Sequence, residues 1–178
     1  MDKGAGLSLM TTSHKIQTRE RLDLLETLDK HRNFLRFTTR DLSDEQARRR
    51  TTVSALTLGG LIKHVAATEL GWMNFVLDGA PGMARSVGDY ENGFTMLPGE
   101  TLESLLQRYA AVARRTTEIV NELPDLDAEH PLPEAPWFEK GASWSARRVL
   151  LHLIAETAQH AGHADIIRES IDGAKTMG

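Results

Sequence analysis

Two polar side chains interrupt an otherwise apolar helix face near the C-terminus. Glu156 and His160 are four residues apart, so on a helix they lie one turn apart on the same face. The other residues at that spacing are apolar: Val149, Leu153, Ala164, Ile167 and Ile171. Burying an ionised carboxylate among apolar groups is costly unless a compensating charge accompanies it. A bound metal cation would provide that charge.

A third candidate ligand, His64, lies on another predicted helix. It falls beside Leu61 and Thr68 on the inner face of that helix, and helical bundles build metal sites from side chains on facing helices. Two imidazoles and one carboxylate are typical of open catalytic zinc sites, and nickel and iron can use the same ligands. The alternative is three ordinary polar core residues, each hydrogen-bonded to neighbours. The pair at i and i+4 and a third inward group together favour the metal site.

Two further histidines leave the ligand set open. His152 precedes Glu156 by one turn, and His163 follows it by about two turns, so both can lie near the same face. Either one could replace Glu156 as a ligand, or could orient a ligand through a hydrogen bond.

The remaining histidines are predicted to be solvated. His14 falls in a predicted tail, His31 on a charged helix face and His130 in a proline-rich loop. Arg147 and Arg148 begin the last predicted helix, where one of them could meet a carboxylate of an anionic thiol or substrate. Adjacent helical residues point about 100° apart, so at most one of the two is expected to face the pocket.

Helical periodicity recurs in four long segments, and each has one apolar face that needs partners. These segments are residues 19–38, 57–78, 101–123 and 145–172, and the last is expected to be capped by Ser143 or Ser145. A short capped turn is predicted at 43–46. No strand hairpin signal is present. The sequence therefore predicts an all-α four-helix bundle.

Two long connections separate the predicted helices. Residues 79–100 are rich in glycine and residues 124–142 in proline, and connections of this length often form binding or lid segments. Gly59 and Gly60 lower helix propensity in the first turn of the second long helix. We interpret them as a place where another backbone or a ligand approaches closely.

Length and composition indicate one globular domain. Of the 178 residues, 1–14 are predicted to be a flexible tail and 15–178 a single domain. The net charge of −4 gives no reason to expect binding to nucleic acid or an anionic membrane, and a small-molecule substrate is expected instead. No apolar run approaches a membrane span, no signal peptide is apparent, and a cytoplasmic location is the expectation. The absence of cysteine leaves histidine and carboxylate as candidate metal ligands.

Two sequence stretches resemble the DinB-like superfamily of metal-binding four-helix bundles. They are TLGGLIKHVAATELGW around His64 and ETAQHAGHADIIRESIDG from Glu156 onward, and the resemblance spans roughly residues 15–173. Ligands in that superfamily are one histidine on the second helix and two groups four residues apart on the last, frequently all histidine. A glutamate in the middle position, as here, is the variant of the mycothiol-dependent maleylpyruvate isomerase branch. The resemblance implies that His64, Glu156 and His160 bind a divalent metal, most often zinc, and that the chain forms homodimers.

The same resemblance implies a thiol-dependent activity. In that branch the metal binds and activates the thiol of a low-molecular-weight cofactor, which attacks an electrophile. The isomerase carries an additional C-terminal domain, whereas this chain ends just past its last predicted helix. We therefore expect a detoxifying S-transferase that uses a thiol of the mycothiol or bacillithiol type. The alternatives are a metal-dependent hydrolase and a non-catalytic metal-binding stress-response protein, and a fourth ligand from His152 or His163 would favour a structural metal.

Overall fold

Four long helices form the body of the protein in a computed structural model that describes residues 18–85 and 92–176. The elements in chain order are α1 (Arg19–Phe37), α2 (Asp44–Arg48), α3 (Leu58–Ala84), α4 (Leu102–Glu122), β1 (Glu129–Pro131), β2 (Ser143–Ser145) and α5 (Ala146–Asp172). The predicted all-α four-helix bundle is confirmed. The predicted tail at 1–14 lies outside the described residues, and the single domain over 15–178 stays a prediction. None of the described helices is long and apolar enough to cross a membrane.

The helix starts follow from capping side chains that the sequence identifies. The hydroxyls of Thr57, Thr101 and Ser145 each accept a hydrogen bond from a backbone N–H in the first turn of α3, α4 and α5. Such caps stabilise a helix by about 1 kcal/mol each. At the other end of α5, Gly173 adopts a left-handed conformation with φ of 78°, as expected for a glycine C-cap.

Gly79 interrupts α3 where the sequence predicted the helix to stop. Its φ of 66° and ψ of −155° are not helical, but the chain resumes helical conformation and continues through Pro81 to Ala84. The continuous helix therefore ends where the sequence predicted, and the sequence analysis missed the short helical segment after Gly79. His130 packs against this break, because a Cβ built on Gly79 would lie 3.2 Å from its Nδ1. Contrary to prediction, His130 is partly buried.

A two-stranded antiparallel sheet lies at the N-terminal end of α5. The sequence analysis missed this sheet. Its residue pairs are Glu129 with Ser145, His130 with Trp144 and Pro131 with Ser143. Strands of three residues are too short to show an alternating pattern, and β1 also contains Pro131. The sheet places Trp144 immediately before the first turn of α5.

Helices α3 and α5 run antiparallel and form the seam that positions the candidate site. His64 on α3 meets His160 on α5, whereas Trp72, two turns further along α3, meets His152, two turns earlier on α5. Apolar clusters surround both levels of this seam. Leu61, Val65, Ala164 and Ile167 belong to one cluster, and Phe75, Val149, Leu150 and Leu153 to the other.

A buried ion pair joins α1 to α3. Arg32 is 2% exposed and Glu69 is 0% exposed. The Arg32 guanidinium donates to both carboxylate oxygens, with Nε 3.1 Å from Oε2. Thr116 on α4 donates to Oε1 at 2.5 Å, so three helices contribute to one network. The charge of Glu69 is thus compensated within the protein.

We predict that Glu69→Leu destabilises the bundle by about 3–5 kcal/mol, because the buried Arg32 guanidinium loses its buried counter-charge and keeps an ion pair with the exposed Asp29. The double variant Arg32→Met/Glu69→Leu should recover much of that loss. Urea unfolding followed by circular dichroism measures both. As a control, Asp23→Ala breaks an exposed ion pair with Arg19 and should cost at most about 1 kcal/mol. Equal effects of Glu69→Leu and Asp23→Ala would contradict this account.

Candidate metal centre

The fold brings the three predicted ligand side chains into one cluster. Oε1 of Glu156 lies 3.2 Å from Nε2 of His64 and 3.2 Å from Nε2 of His160. One ligand atom from each residue lies within 4.8 Å of the other two. His160 is buried, and the other two side chains are partly buried. The cluster forms because the i, i+4 pair on α5 faces a single position on α3.

The carboxylate of Glu156 is ionised at neutral pH. Hydrogen bonds with His160 and, next in size, His64 hold its pKa well below the usual range, and they outweigh the opposing effect of burial. The cluster therefore contains one negatively charged carboxylate, which lies between two imidazoles. Unlike Glu69, Glu156 forms no contact with a guanidinium or ammonium group in residues 18–85 and 92–176.

These donor atoms fit a divalent cation by type and by spacing. Zinc bonds to nitrogen and oxygen of about 2.0–2.1 Å at tetrahedral angles place neighbouring ligand atoms about 3.3 Å apart. The two distances from Glu156 to the imidazole nitrogens are close to this value. Imidazole and carboxylate are also ligands that nickel and iron accept. His64, Glu156 and His160 could therefore hold such an ion with little rearrangement.

His163 lies behind His160 and away from Glu156. The Nδ1 atoms of the two histidines are 3.3 Å apart, whereas Nε2 of His160 faces the carboxylate. A hydrogen bond to the outer nitrogen of a metal-binding histidine fixes its tautomer and ring orientation. Of the two roles that the sequence left open for His163, this geometry matches the orienting role.

His152 occupies an aromatic environment one turn from the cluster. Its ring centroid lies 5.1 Å from that of Trp72 and 5.2 Å from that of Trp144. Burial lowers the pKa of His152, with Glu156 opposing and Arg148 adding to the shift, so its imidazole is neutral at pH 7. Neither His152 nor His163 joins the three-residue cluster found among the described residues.

A loop segment covers one face of the His64 ring. The Phe94 ring stacks on the His64 ring with centroids 4.0 Å apart and planes inclined by 27°. The glycines at the start of α3 allow this contact: a Cβ on Gly60 would lie only 1.7 Å from the carbonyl oxygen of Phe94, and one on Gly59 would lie 2.6 Å from Sδ of Met96. The predicted close approach of another backbone is confirmed. The sequence did not identify Phe94, because the glycines indicate an approach but not the approaching segment.

The two arginines at the start of α5 differ in their partners. Arg147 forms ion pairs with Glu20 and Asp127. Arg148 is exposed, and its guanidinium lies over the Trp144 ring.

The fold and the cluster together define a helical-bundle protein with a candidate His-Glu-His metal centre between α3 and α5. The family model for mycothiol S-transferase matches residues 23–173, which is most of the chain. The chain therefore belongs to the mycothiol S-transferase family, which is a DinB-like family, and the resemblance drawn from the sequence is confirmed. The family name implies mycothiol as the thiol cosubstrate. No curated protein matches the chain.

We predict that Gly60→Ala lowers the free energy of unfolding by about 1–3 kcal/mol, because the added Cβ cannot coexist with the Phe94 carbonyl. Gly162→Ala is the matched control: Gly162 lies within α5 with nothing within 4 Å of its Cβ position. That change should stabilise the helix by up to about 1 kcal/mol. Chemical denaturation measures both. The packing of Phe94 on α3 would be disproved if Gly60→Ala were as harmless as its control.

Proposed function

We propose that this protein is a metal-dependent S-transferase that joins the thiol of mycothiol to small electrophiles in detoxification. The observation that carries the proposal is the convergence of His64, Glu156 and His160 in a chain of the mycothiol S-transferase family. The homodimer and the cytoplasmic location expected from the sequence remain predictions.

In this proposal His64, Glu156 and His160 hold a divalent cation. Zinc is the first ion to test, with nickel and iron next. The bound cation would favour the thiolate form of mycothiol over the thiol, and the thiolate is the nucleophile. The chain has no cysteine of its own, so the reacting sulfur comes from the cosubstrate.

The surrounding residues prepare the three ligands. Glu156 is already ionised, so its carboxylate does not have to lose a proton before it can act as a ligand. His163 orients the His160 ring through the contact between their Nδ1 atoms. Phe94 restricts rotation of the His64 ring and excludes water from one of its faces.

The transfer itself is a substitution that balances without a further co-reactant. The sulfur forms a bond to the electrophilic carbon, and the leaving group departs with its electron pair. The thiol proton passes to solvent.

The positions of two histidines support a transferase over the alternatives. A hydrolase needs a general base near the metal, and His163 and His152 are the candidates for that role. His163 contacts His160 through Nδ1, and His152 packs against Trp72 and Trp144. A closed structural site would need one of the same histidines as a fourth ligand. Each has another role in this geometry, so both alternatives lose support.

We predict about one equivalent of metal in the purified protein, and its loss in both His64→Ala and Glu156→Ala. Elemental analysis measures the metal, and calorimetric titration of mycothiol into the metal-loaded protein measures thiol binding. His152→Phe, which keeps an aromatic ring in its environment, should retain the metal and serves as the control. Metal bound without any affinity for mycothiol would contradict the transferase, and failure to bind zinc, nickel or iron would contradict the site.

A separate prediction concerns His163 as a positioning residue. His163→Ala should weaken metal affinity about 10- to 100-fold, since it removes the partner that orients His160. Competition with a chelator measures this affinity. His163→Asn keeps a side-chain hydrogen-bonding group and should recover part of the loss. If His163→Ala binds metal as tightly as the unaltered protein, the orienting role is wrong.

A further inference from the structure

An arginine and a set of aromatic rings lie along the same seam as the candidate metal centre. Trp144 stacks on Trp72 with ring centroids 4.7 Å apart and planes inclined by 13°, and His152 packs edge to face against both. We call Trp72, Trp144 and His152 the aromatic platform. The guanidinium of Arg148 lies over Trp144, 4.6 Å from the ring centroid. The positively charged guanidinium of Arg148 thus lies directly beside the aromatic platform.

The aromatic platform is aligned with the centre by the antiparallel helices. On α5, His152 precedes Glu156 by one turn and Arg148 precedes it by two, which correspond to about 6 and 12 Å along the helix axis. On α3, Trp72 follows His64 by eight residues. A small molecule that reacts at the centre can therefore extend along the seam toward the platform and Arg148.

Of the two arginines at the start of α5, Arg148 is the one with free hydrogen-bond donors. Arg147 is engaged by Glu20 and Asp127. In the part of the chain that the structure describes, the Arg148 side chain forms neither an ion pair nor a hydrogen bond, and its contact is with the Trp144 ring. A guanidinium has five N–H donors and binds carboxylates in a planar, two-pronged geometry. The charge complement of this position is an anionic group.

We propose that Arg148, held over Trp144 by the aromatic platform, forms the electrophile subsite, and that it selects electrophiles that carry a carboxylate. Trp72 and the Arg148 guanidinium cover the two faces of the Trp144 ring, so the platform holds the arginine in place. The carboxylate of the electrophile pairs with the N–H donors of Arg148. The proposal rests on the proposed S-transferase function, because it assigns the second substrate of that reaction. Specificity then depends on residues outside the metal-binding cluster.

Binding of unreactive analogues tests the subsite without any need for turnover. The probes are 4-chlorobenzoate and its neutral counterpart 4-chlorobenzamide, and quenching of tryptophan fluorescence reports their binding, because Trp72 and Trp144 belong to the platform. The metal-loaded protein should bind the carboxylate about 10- to 100-fold more tightly than the amide, the range expected for a charge-assisted hydrogen bond. Arg148→Ala should abolish this preference. Arg114→Ala, at an exposed position on α4, is the matched control and should preserve it.

Turnover tests the same preference with mycothiol and the pair 4-chloro-3-nitrobenzoate and 4-chloro-3-nitrobenzamide. In each reaction a carbon–sulfur bond forms, the carbon–chlorine bond breaks, chloride leaves with the electron pair and the thiol proton passes to solvent. Arg148→Ala should raise KM for the carboxylate about tenfold or more and leave KM for the amide unchanged. Arg148→Lys should recover part of the loss, because it keeps the charge but not the planar geometry.

The two experiments separate failure of the subsite from failure of the enzyme. A carboxylate preference that Arg148→Ala removes, in a protein without transfer activity, would support the subsite and overturn the proposed function. Thiol-dependent transfer with equal use of carboxylate and amide would overturn the subsite and leave the function intact. An Arg148→Ala variant with altered KM for mycothiol alone would also overturn it and assign the platform to the thiol. Binding of neither probe would overturn the proposal outright.

Discussion

The structure depends on how it compensates a negative charge between α3 and α5. Glu156 points into the seam, and within residues 18–85 and 92–176 its carboxylate meets two imidazoles and no cation. Imidazoles stabilise the anion through hydrogen bonds, and the low pKa of Glu156 follows from them. They do not remove the net charge unless one becomes protonated. Without a metal, burial of this charge lowers the stability of the fold. A bound cation would compensate the charge, so the same three side chains are a candidate metal centre.

Glu69 is a second inward carboxylate of the bundle, and its charge is compensated in the opposite way, by partners within the protein. Glu69 lies five residues after His64 on α3, but the guanidinium of Arg32 and the hydroxyl of Thr116 satisfy it fully. The sequence analysis did not single out Glu69, since its partners come from α1 and α4 and share no spacing with it. Comparison of the two carboxylates explains the difference in role. One is neutralised permanently and joins helices, whereas Glu156 remains available to an external ligand.

Features that depend on residues close together in the chain could be predicted from the sequence, whereas contacts between distant segments could not. Helix starts at Thr57, Thr101 and Ser145 were predictable because a cap acts within one turn. The pairing of Glu156 with His160 was predictable because helical spacing places them together. Phe94 and Trp144 were not, because loops bring them to the helices and no periodicity records where a loop packs. Gly60 is intermediate, since it indicated a close contact without identifying the partner.

The division between helices and loops also separates two functions within one seam. Helices α3 and α5 contribute every member of the charged cluster, and their packing fixes its distances. Phe94 and Trp144, which cover the cluster and form the adjacent aromatic surface, come from a loop and from a three-residue strand. Loops tolerate substitution better than a packed helix core does. The proposed subsite also lies outside the packed cluster, because Arg148 is exposed in the first turn of α5. In that proposal, substitution of Arg148 alters the choice of electrophile while His64, Glu156 and His160 keep their geometry.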